Sequence, residues 1–294
     1  MRKLLKHAIP STTLVCTLGS EPQVITLSLD LLARRGRRPD RLVVVHTSDD
    51  HEPVRTALEQ LRLTLTGWPR LETTFVPVEG ERGPVPDLAT SDQAAAYLRT
   101  LYRTVLELKR AGSRVDLNLS GGRKPMSIYA VVVAQLLFDA GDRLWYLLSS
   151  EPVRRSGQMR LHRADDADLL EIPVLRWSSV SPAATPLGRF EDPWDAIAYQ
   201  QEHHLRASMN ARRVFVNQVL TPAERDLARL AATTGLDNAA LAERLNKRPK
   251  TVANQLNTIY GKLHEFLGFP DAGATDRTVL AAEFGPYFAL EGEA

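Results

Sequence analysis

The chain has 294 residues, of which 44% are hydrophobic and 24% charged, and its formal net charge is +2. This composition is typical of a globular protein of about two domains and argues against a disordered chain. Because the net charge is small, any basic surface has to be local. The single cysteine, Cys16, excludes an intrachain disulfide framework and favours a reducing compartment.

The sequence shows neither a signal-peptide pattern before Pro10 nor an apolar run long enough to span a membrane. We therefore expect a cytoplasmic protein that does not enter a membrane. The histidines and the cysteine lack the spacing of a zinc site. We interpret the closely spaced Asp165, Asp166 and Asp168 as a solvated loop rather than a Ca²⁺ or Mg²⁺ site. No metal and no cofactor is predicted.

Strand and helix patterns alternate through the first half of the chain. Stretches with helical spacing separate apolar runs at residues 13–18, 41–46, 71–78, 115–119 and 144–148. Continuous apolar strands separated by helices are typical of a parallel sheet covered on both faces. We therefore predict an α/β fold with a Rossmann-like sheet. Segment 169–175 is predicted as an edge strand or hairpin, because Pro173 suits an edge.

Residues 178–186 are rich in Ser, Ala and Pro, which is typical of a domain boundary. The predicted organisation is a Rossmann-like domain over 1–182, a linker helix over 183–219 and an all-α domain over 220–294. In the linker helix, we expect the apolar side chains to be buried against a neighbour; they are Trp194, Ile197, Leu205, Met209 and Val216.

The run Asn-Leu-Ser-Gly-Gly-Arg-Lys-Pro-Met, residues 118–126, follows the fourth strand and opens a helix. Gly121 and Gly122 let the backbone turn sharply and approach a ligand closely. The helix start offers N–H groups and a positive dipole end, and Arg123 and Lys124 add two cations. The run predicts a site for a phosphate-bearing ligand, although its spacing is not that of a Walker loop. The alternative is a tight turn with solvated cations.

The loop after the first strand carries Gly19, Ser20 and Glu21. Ser20 is suited to capping the next helix, a role compatible with ligand contact. We interpret Glu21 as a first-turn carboxylate favoured by the helix dipole, with a general base as the alternative. Thr17, Asn118 and His46 are interpreted as structural residues near strand ends, with ligand contact as the alternative.

Residues 220–269 show a helix-turn-helix pattern. Thr221, Pro222 and Glu224 have the spacing of a capped helix start. A short helix, a polar turn and a longer helix from Pro249 follow, with Val252, Leu256, Ile259 and Leu263 expected in the core. We expect phosphate contacts from Lys247, Arg248, Lys250 and Lys262, and base contacts from Thr251, Asn254 and Gln255. Alternatively, the module serves only in dimerisation.

The two loop motifs, at residues 14–26 and 120–129, resemble those of the CRISPR-associated Rossmann-fold (CARF) superfamily, in particular its ring-nuclease branch. The resemblance covers roughly residues 12–176. It implies a homodimer that encloses one cyclic oligoadenylate, the second messenger of type III CRISPR systems. The ligand-binding residues it implies are Gly19, Ser20, Glu21, Ser120, Gly121, Gly122, Arg123 and Lys124.

The same resemblance implies metal-independent cleavage of the ligand. In that reaction the ligand's own 2′-hydroxyl attacks the adjacent phosphodiester, and the protein holds it in line and stabilises the transition state. Lys124 matches the family's lysine and would stabilise the developing charge, with Ser20 and Glu21 as further catalytic candidates. Where the family often has a small hydroxylated residue before the proline of the first loop, this chain has Glu21.

Residues 220–269 resemble the LuxR/FixJ-type helix-turn-helix: 220–225 match its opening, 241–245 its second helix, and 250–256 with 259–263 its recognition helix. The combined features predict a transcriptional regulator that senses cyclic oligoadenylate and binds double-stranded DNA. The alternative is a ring nuclease that ends the signal, and the two roles are compatible. A nucleotide-dependent oxidoreductase ranks third, because Gly19 is the only glycine where Gly-x-Gly-x-x-Gly would be required.

Overall fold

The computed structural model describes residues 11–50, 52–162, 166–176, 189–269 and 275–292. The chain divides into two compact units, Met1–Gln200 and Gln201–Ala294. Asp165, the predicted boundary at 178–186 and the first residues of the predicted linker, 183–188, lie outside the described residues.

The first unit is built on a six-stranded sheet. The strands described in this unit are β1 (Thr12–Leu18), β2 (Arg41–His46), β3 (Glu72–Pro77), β4 (Glu79–Gly80), β5 (Gly83–Pro84), β6 (Arg114–Asn118), β7 (Arg143–Ser149) and β8 (Ala167–Ile172). The sheet order is β3-β2-β1-β6-β7-β8, while β4 and β5 pair separately. The first five strands of that order run parallel and β8 is antiparallel to β7. The predicted Rossmann-like sheet is confirmed. The predicted segment 169–175 begins inside the edge strand β8, which ends at Ile172 and pairs antiparallel with β7.

Helices cover both faces of this sheet. They are α1 (Gln23–Arg34), α2 (Val54–Leu65), α3 (Ser91–Arg110), α4 (Lys124–Leu137) and α5 (Glu151–Ser156), and α6 (Pro193–Val214) begins in the first unit. Successive strand residues enter opposite cores, because side chains alternate across a strand. Leu14 and Cys16 pack in the core that includes α1 and α2, whereas Val15 packs in the core that includes α3 and α4. Cys16 is a free, buried thiol whose pKa is raised by burial.

The strand order reverses direction at β1. From β1 the chain adds β2 and β3 on one side, and it later adds β6 and β7 on the other. Cys16 lies beside Asn118 in the register of β1 and β6, so the segments after these strands leave the sheet side by side. In open parallel sheets, ligands bind at such a switch point. The strand order therefore positions the candidate site.

The start of α6 packs on the first unit. Ala196 is buried and Ile197 packs against the core that contains α3, and Arg99 of α3 pairs with Asp192 at 2.8 Å. The first compact unit therefore extends beyond residue 182, to Gln200.

The expected burial of the apolar positions in α6 is wrong in part. Trp194 is 43% exposed, because the buried face of this turn is formed by residues 193, 196 and 200. Leu205 is 63% exposed. It lies in sequence between the residues that pack on the first core and Met209, which packs on the core of the second unit. Val216 is fully buried, as expected.

The second unit is helical in its described residues. A π-helical turn (Phe215–Val219) precedes α7 (Pro222–Thr233), α8 (Asn238–Arg244), α9 (Pro249–Leu267) and α10 (Arg277–Gly292). The predicted core positions of α9, namely Val252, Leu256, Ile259 and Leu263, are all buried. They share a cluster with Phe215, Leu227 and Phe284. Within the described residues, no helix has the length and apolar character of a membrane span.

The predicted cap at the start of α7 is present. The Thr221 side chain accepts a hydrogen bond from the Glu224 amide, and the Glu224 carboxylate accepts one from the Thr221 amide at 2.8 Å. This reciprocal pair satisfies two amides that the helix itself leaves without partners. The cap therefore defines the first turn of α7.

Candidate functional site

Two loops meet where β1 and β6 end. We call residues 19–22 the first loop and residues 119–123 the glycine loop. A Cβ atom on Gly19 would lie 2.8 Å from the Gly122 Cα, and a Cβ on Gly121 would lie 1.8 Å from the Thr17 carbonyl oxygen. Neither separation is possible for real atoms, so the two backbones are in direct contact and only glycine fits.

Hydrogen bonds hold this contact in place. The Thr17 hydroxyl donates to the Gly121 carbonyl at 2.5 Å. The Asn118 side chain accepts from the Ser120 amide at 2.9 Å and donates to the Ser28 hydroxyl at 2.7 Å. Thr17 and Asn118 therefore have the structural role that we predicted for them, and the glycine loop is preorganised.

Gly122 turns the chain into α4. Its φ is +83°, in the region that favours glycine, and a Cβ there would lie 2.2 Å from the Met126 sulfur. Helix α4 begins at Lys124, directly after this turn, and no side chain caps its first turn. The positive end of the helix dipole therefore lies next to the glycine loop.

A cavity of about 580 Å³ opens between the two loops, and we call it the main cavity. The predicted ligand residues that line it are Gly19, Ser20, Glu21, Ser120, Gly121, Gly122 and Arg123. The structure thus brings seven of the eight predicted residues together around one space. Lys124, the first residue of α4, is exposed and does not line the cavity, although Arg123 before it and Met126 after it do.

The sequence did not identify part of the cavity wall. Glu52 and Pro53 follow β2, and Asp87 follows β5, and all three line the main cavity. The Asp87 carboxylate lies 2.5 Å from the Arg123 guanidinium. Two features of the sequence could have indicated the acidic part of this wall. The loop after a parallel strand lies at the same edge of the sheet as the loops of its neighbours. In addition, Asp49, Asp50 and Glu52 follow β2 closely. The charged side chains of the lining are Arg123, Glu21, Glu52 and Asp87.

A second cavity of about 210 Å³ adjoins the main one, since Glu21 and Ser120 line both. We call it the side cavity. Its lining adds Arg154 from α5 and two exposed apolar side chains of β7, Tyr146 and Leu148. A further cation is therefore available next to the main cavity.

His46 is a structural residue, as predicted. It is buried, and its Nδ1 lies 2.7 Å from the Thr47 carbonyl oxygen. Burial holds the pKa of His46 below its usual value. The ring is therefore neutral at pH 7 and donates from Nδ1.

The residues predicted to contact DNA fall into two groups. Arg248, Lys250, Thr251 and Asn254 are exposed around the start of α9. The other three have partners within the unit. Lys247 donates to the Gln255 side chain at 3.0 Å, and Lys262 lies 2.6 Å from the Glu224 carboxylate while donating to the Val219 carbonyl. Lys262 therefore belongs to the cap of α7 rather than to an open phosphate-binding surface.

No group of three His, Cys, Asp or Glu side chains among the described residues could hold a metal ion. Asp168 is paired with Arg35 at 2.5 Å, and the pKa of its carboxyl is lowered by the hydrogen bond from Arg35.

A protein-family comparison identifies the class of this chain. Residues 21–193, more than half of the 294, match the family described as CRISPR-associated protein NE0113. The chain therefore belongs to this CRISPR-associated family. A search among curated proteins found no match.

Solved structures show weaker similarity. Protein VC1899 from Vibrio cholerae is 16% identical with a TM-score of 0.36; the match covers 94% of this chain and 66% of that one. Enterococcus italicus Csm6, solved with cyclic hexa-2′-fluoro-hexa-dAMP, is 12% identical with a TM-score of 0.38, over 96% and 76% of the chains. Can2 from Sulfobacillus thermosulfidooxidans, solved with cyclic tetra-adenylate, is 16% identical with a TM-score of 0.31, over 95% and 65%. At these values nothing about this chain's ligand follows from them.

The contact between Thr17 and Gly121 leads to a test of the loop geometry. Gly121→Ala places a Cβ on the Thr17 carbonyl, so we expect it to lower the free energy of unfolding by about 2–4 kcal/mol. All four tryptophans of the sequence precede the unit boundary at Gln200, and Trp68, Trp145 and Trp194 are described in the first unit, so fluorescence in a urea titration reports on its unfolding.

Gly67→Ala is the matched control. Its Cβ would meet the nearest atoms at 3.4 Å and 3.6 Å, which are ordinary contacts. We expect this variant to unfold within about 0.5 kcal/mol of the wild type. Equal effects of the two substitutions would contradict the backbone contact.

Proposed function

We propose that the chain is a CARF protein of a type III CRISPR system, which binds cyclic oligoadenylate in the main cavity and binds DNA through α8 and α9. The observation that carries the proposal is the convergence of the first loop and the glycine loop on one cavity at the switch point of the sheet. Membership of a CRISPR-associated family supports it.

The chemistry of the main cavity suits a nucleotide with a phosphodiester. Arg123 supplies a guanidinium, which forms strong paired hydrogen bonds with phosphate. The start of α4 adds a positive dipole end beside it. Ser120 accepts a hydrogen bond from the Leu147 amide at 2.5 Å, so its own proton is directed away from that amide and is available to a ligand.

We further propose that two copies share the ligand. One main cavity has three carboxylates and one guanidinium in its lining, so a ring with several phosphates needs cations from outside it. Lys124 and Arg154 lie near the cavity in the same chain, and a second copy doubles the set. A two-fold arrangement also matches the symmetry of a cyclic ligand.

The exposed face of the antiparallel pair β7 and β8 is the surface that we assign to this contact. Tyr146, Leu148 and Leu170 are each 40–47% exposed there, and Tyr146 is paired with Leu170 in the register. Tyr146 and Leu148 also line the side cavity, so the apolar face is continuous with the site. A copy docked on this face would come close to the ligand.

The proposed dimer contact can be tested by introducing one charged side chain into the apolar face. Leu148→Asp places a carboxylate in the apolar face, and we expect it to convert a dimer to a monomer in sedimentation velocity at micromolar concentration. Leu63→Asp is the control, because Leu63 is 74% exposed on α2 and outside this face. A dimer that withstands Leu148→Asp, or that Leu63→Asp disrupts equally, would exclude this assignment.

Ring cleavage is the second candidate function. The Ser20 hydroxyl and the Glu21 carboxylate line the same cavity as Arg123, which gives the site groups able to orient a ribose 2′-hydroxyl or to accept its proton. Lys124 lies just outside the lining, so its charge would act on the transition state only from the rim. If cleavage is slow, the same protein would sense the cyclic ligand and also limit how long the signal lasts.

One experiment tests binding and cleavage together. Pure protein is incubated with cyclic tetra-adenylate and cyclic hexa-adenylate in EDTA, with calorimetry in parallel. We expect one ring per two chains, and Arg123→Ala should weaken binding at least about tenfold, because it removes the guanidinium of the lining. Linear products with a 2′,3′-cyclic phosphate support cleavage, and an intact ring supports a sensor.

Arg70→Ala is the control for the loss of one positive charge, since Arg70 is exposed and lies outside both cavities. Its affinity should remain within about twofold of the wild type. The absence of binding to either ring in the wild type would end the proposed function.

DNA binding is tested by its salt dependence. Lys250 is exposed at the start of α9, so we expect Lys250→Ala to reduce the slope of log affinity against log salt by about one. Arg206→Ala is the control, because Arg206 pairs with Glu202 on the same helix, away from α9 in sequence. Equal slopes for the three proteins would remove Lys250 from the interface.

Regulation adds a second measurement on the same DNA. If ligand controls DNA affinity, then DNA must alter ligand affinity by the same factor. A titration at fixed salt in which cyclic oligoadenylate leaves DNA affinity unchanged would refute the regulatory model while leaving ligand binding intact.

A further inference from the structure

The charges of the main cavity are opposite to those that anion binding alone would favour. Its lining contains the carboxylates of Glu21, Glu52 and Asp87, but only one guanidinium, that of Arg123. One of these carboxylates, Asp87, is already paired with Arg123 at 2.5 Å. The cation best placed to bind a phosphate therefore has an anionic partner within the protein.

Asp87 is held firmly in this position. While one of its oxygens faces Arg123, the other accepts a hydrogen bond from the Leu88 amide at 2.7 Å. Val85 and Leu88 on either side are buried, and the Ser48 amide donates to the Val85 carbonyl at 2.7 Å. The Asp87 carboxylate thus lies on a loop that is held by packing and hydrogen bonds, and it remains part of the cavity lining.

We propose that Asp87 is an affinity-determining residue of the site, whose carboxylate competes with a ligand phosphate for Arg123. This inference rests on the proposed function, because the phosphate that competes with Asp87 is the one that the ligand brings into the main cavity. A phosphate that reaches Arg123 must take the place of the carboxylate or approach it closely. Like charges brought together in a confined site oppose binding.

The exposure of the pair makes the exchange feasible. The side chains of Arg123 and Asp87 are 61% and 40% exposed, and ion pairs that water reaches contribute little to stability. The pair can therefore open without disturbing the fold. Asp87→Asn keeps an oxygen for the Leu88 amide and removes the competing charge.

The experiment measures binding of two probes by calorimetry at constant ionic strength. Cyclic tetra-adenylate tests the proposed ligand, and inorganic tripolyphosphate tests competition for phosphate alone. We expect Asp87→Asn to tighten both about three- to fivefold, because an ion pair that water reaches is weak. Glu81→Gln is the control, since Glu81 is an exposed carboxylate in the β4–β5 turn, outside the cavity lining. It should change neither affinity by more than about twofold.

A double variant separates competition at Arg123 from general repulsion. If Asp87 acts by occupying Arg123, most of the gain from Asp87→Asn disappears in an Arg123→Ala background. A gain of the same size in both backgrounds, or no gain for either probe, would overturn the inference. Tryptophan fluorescence in urea checks that each variant folds like the wild type.

The outcomes also distinguish this inference from the proposed function. If tripolyphosphate binds Asp87→Asn more tightly while no protein binds the ring, competition at Arg123 stands and the cyclic ligand is wrong. If the ring binds wild type and Asp87→Asn equally, the cyclic ligand stands and the competition is refuted. If neither probe binds any of the proteins, both fail.

Discussion

The contact between the Thr17 carbonyl and Gly121 fixes how closely the ends of β1 and β6 approach, and the geometry of the candidate site depends on this distance. No side-chain atom fits at Gly121, since its Cβ would lie 1.8 Å from the Thr17 carbonyl oxygen. The Thr17 hydroxyl also donates a hydrogen bond to the Gly121 carbonyl at 2.5 Å. This brings the ends of β1 and β6 as close as two backbones can approach. The glycine loop, the start of α4 and Arg123 all adjoin this contact, and a looser contact would separate the groups that line the main cavity.

Features encoded within a few residues could be predicted from the sequence. The alternation of apolar strands and helices indicated the sheet, and the spacing of Val252, Leu256, Ile259 and Leu263 indicated the buried face of α9. The meeting of the two loops could also be expected from their resemblance to a known family, but the partners of individual charged side chains could not be predicted. Asp87 reaches Arg123 only because of the strand order, and Lys262 meets a carboxylate 38 positions away. Lys124 does not line the cavity although its neighbours Arg123 and Met126 do, and only the folded helix shows this. Local patterns specify elements, whereas partners depend on the tertiary arrangement.

Both units contain a cation that is paired with a carboxylate of the same unit, and exposure separates their roles. Lys262 and Glu224 are 28% and 9% exposed, and they are tied to the Thr221 cap and the Val219 carbonyl. Removing either partner would leave a poorly solvated charge, so this pair is structural. The side chains of Arg123 and Asp87 are more open to water, at 61% and 40% exposed. An ion pair in solvent exchanges partners at little cost, which is a property that a binding site requires and a helix cap does not.

The three glycines of the site divide its residues into two kinds. At Gly19, Gly121 and Gly122 a Cβ atom would overlap a neighbouring atom, so no larger residue can be accommodated at these positions. Ser20, Glu21 and Glu52 reach the same space with side chains that carry no such steric restriction. Substitutions at Ser20, Glu21 and Glu52 can therefore change the charge and polarity of the main cavity without disturbing the glycine contacts that hold the two loops together.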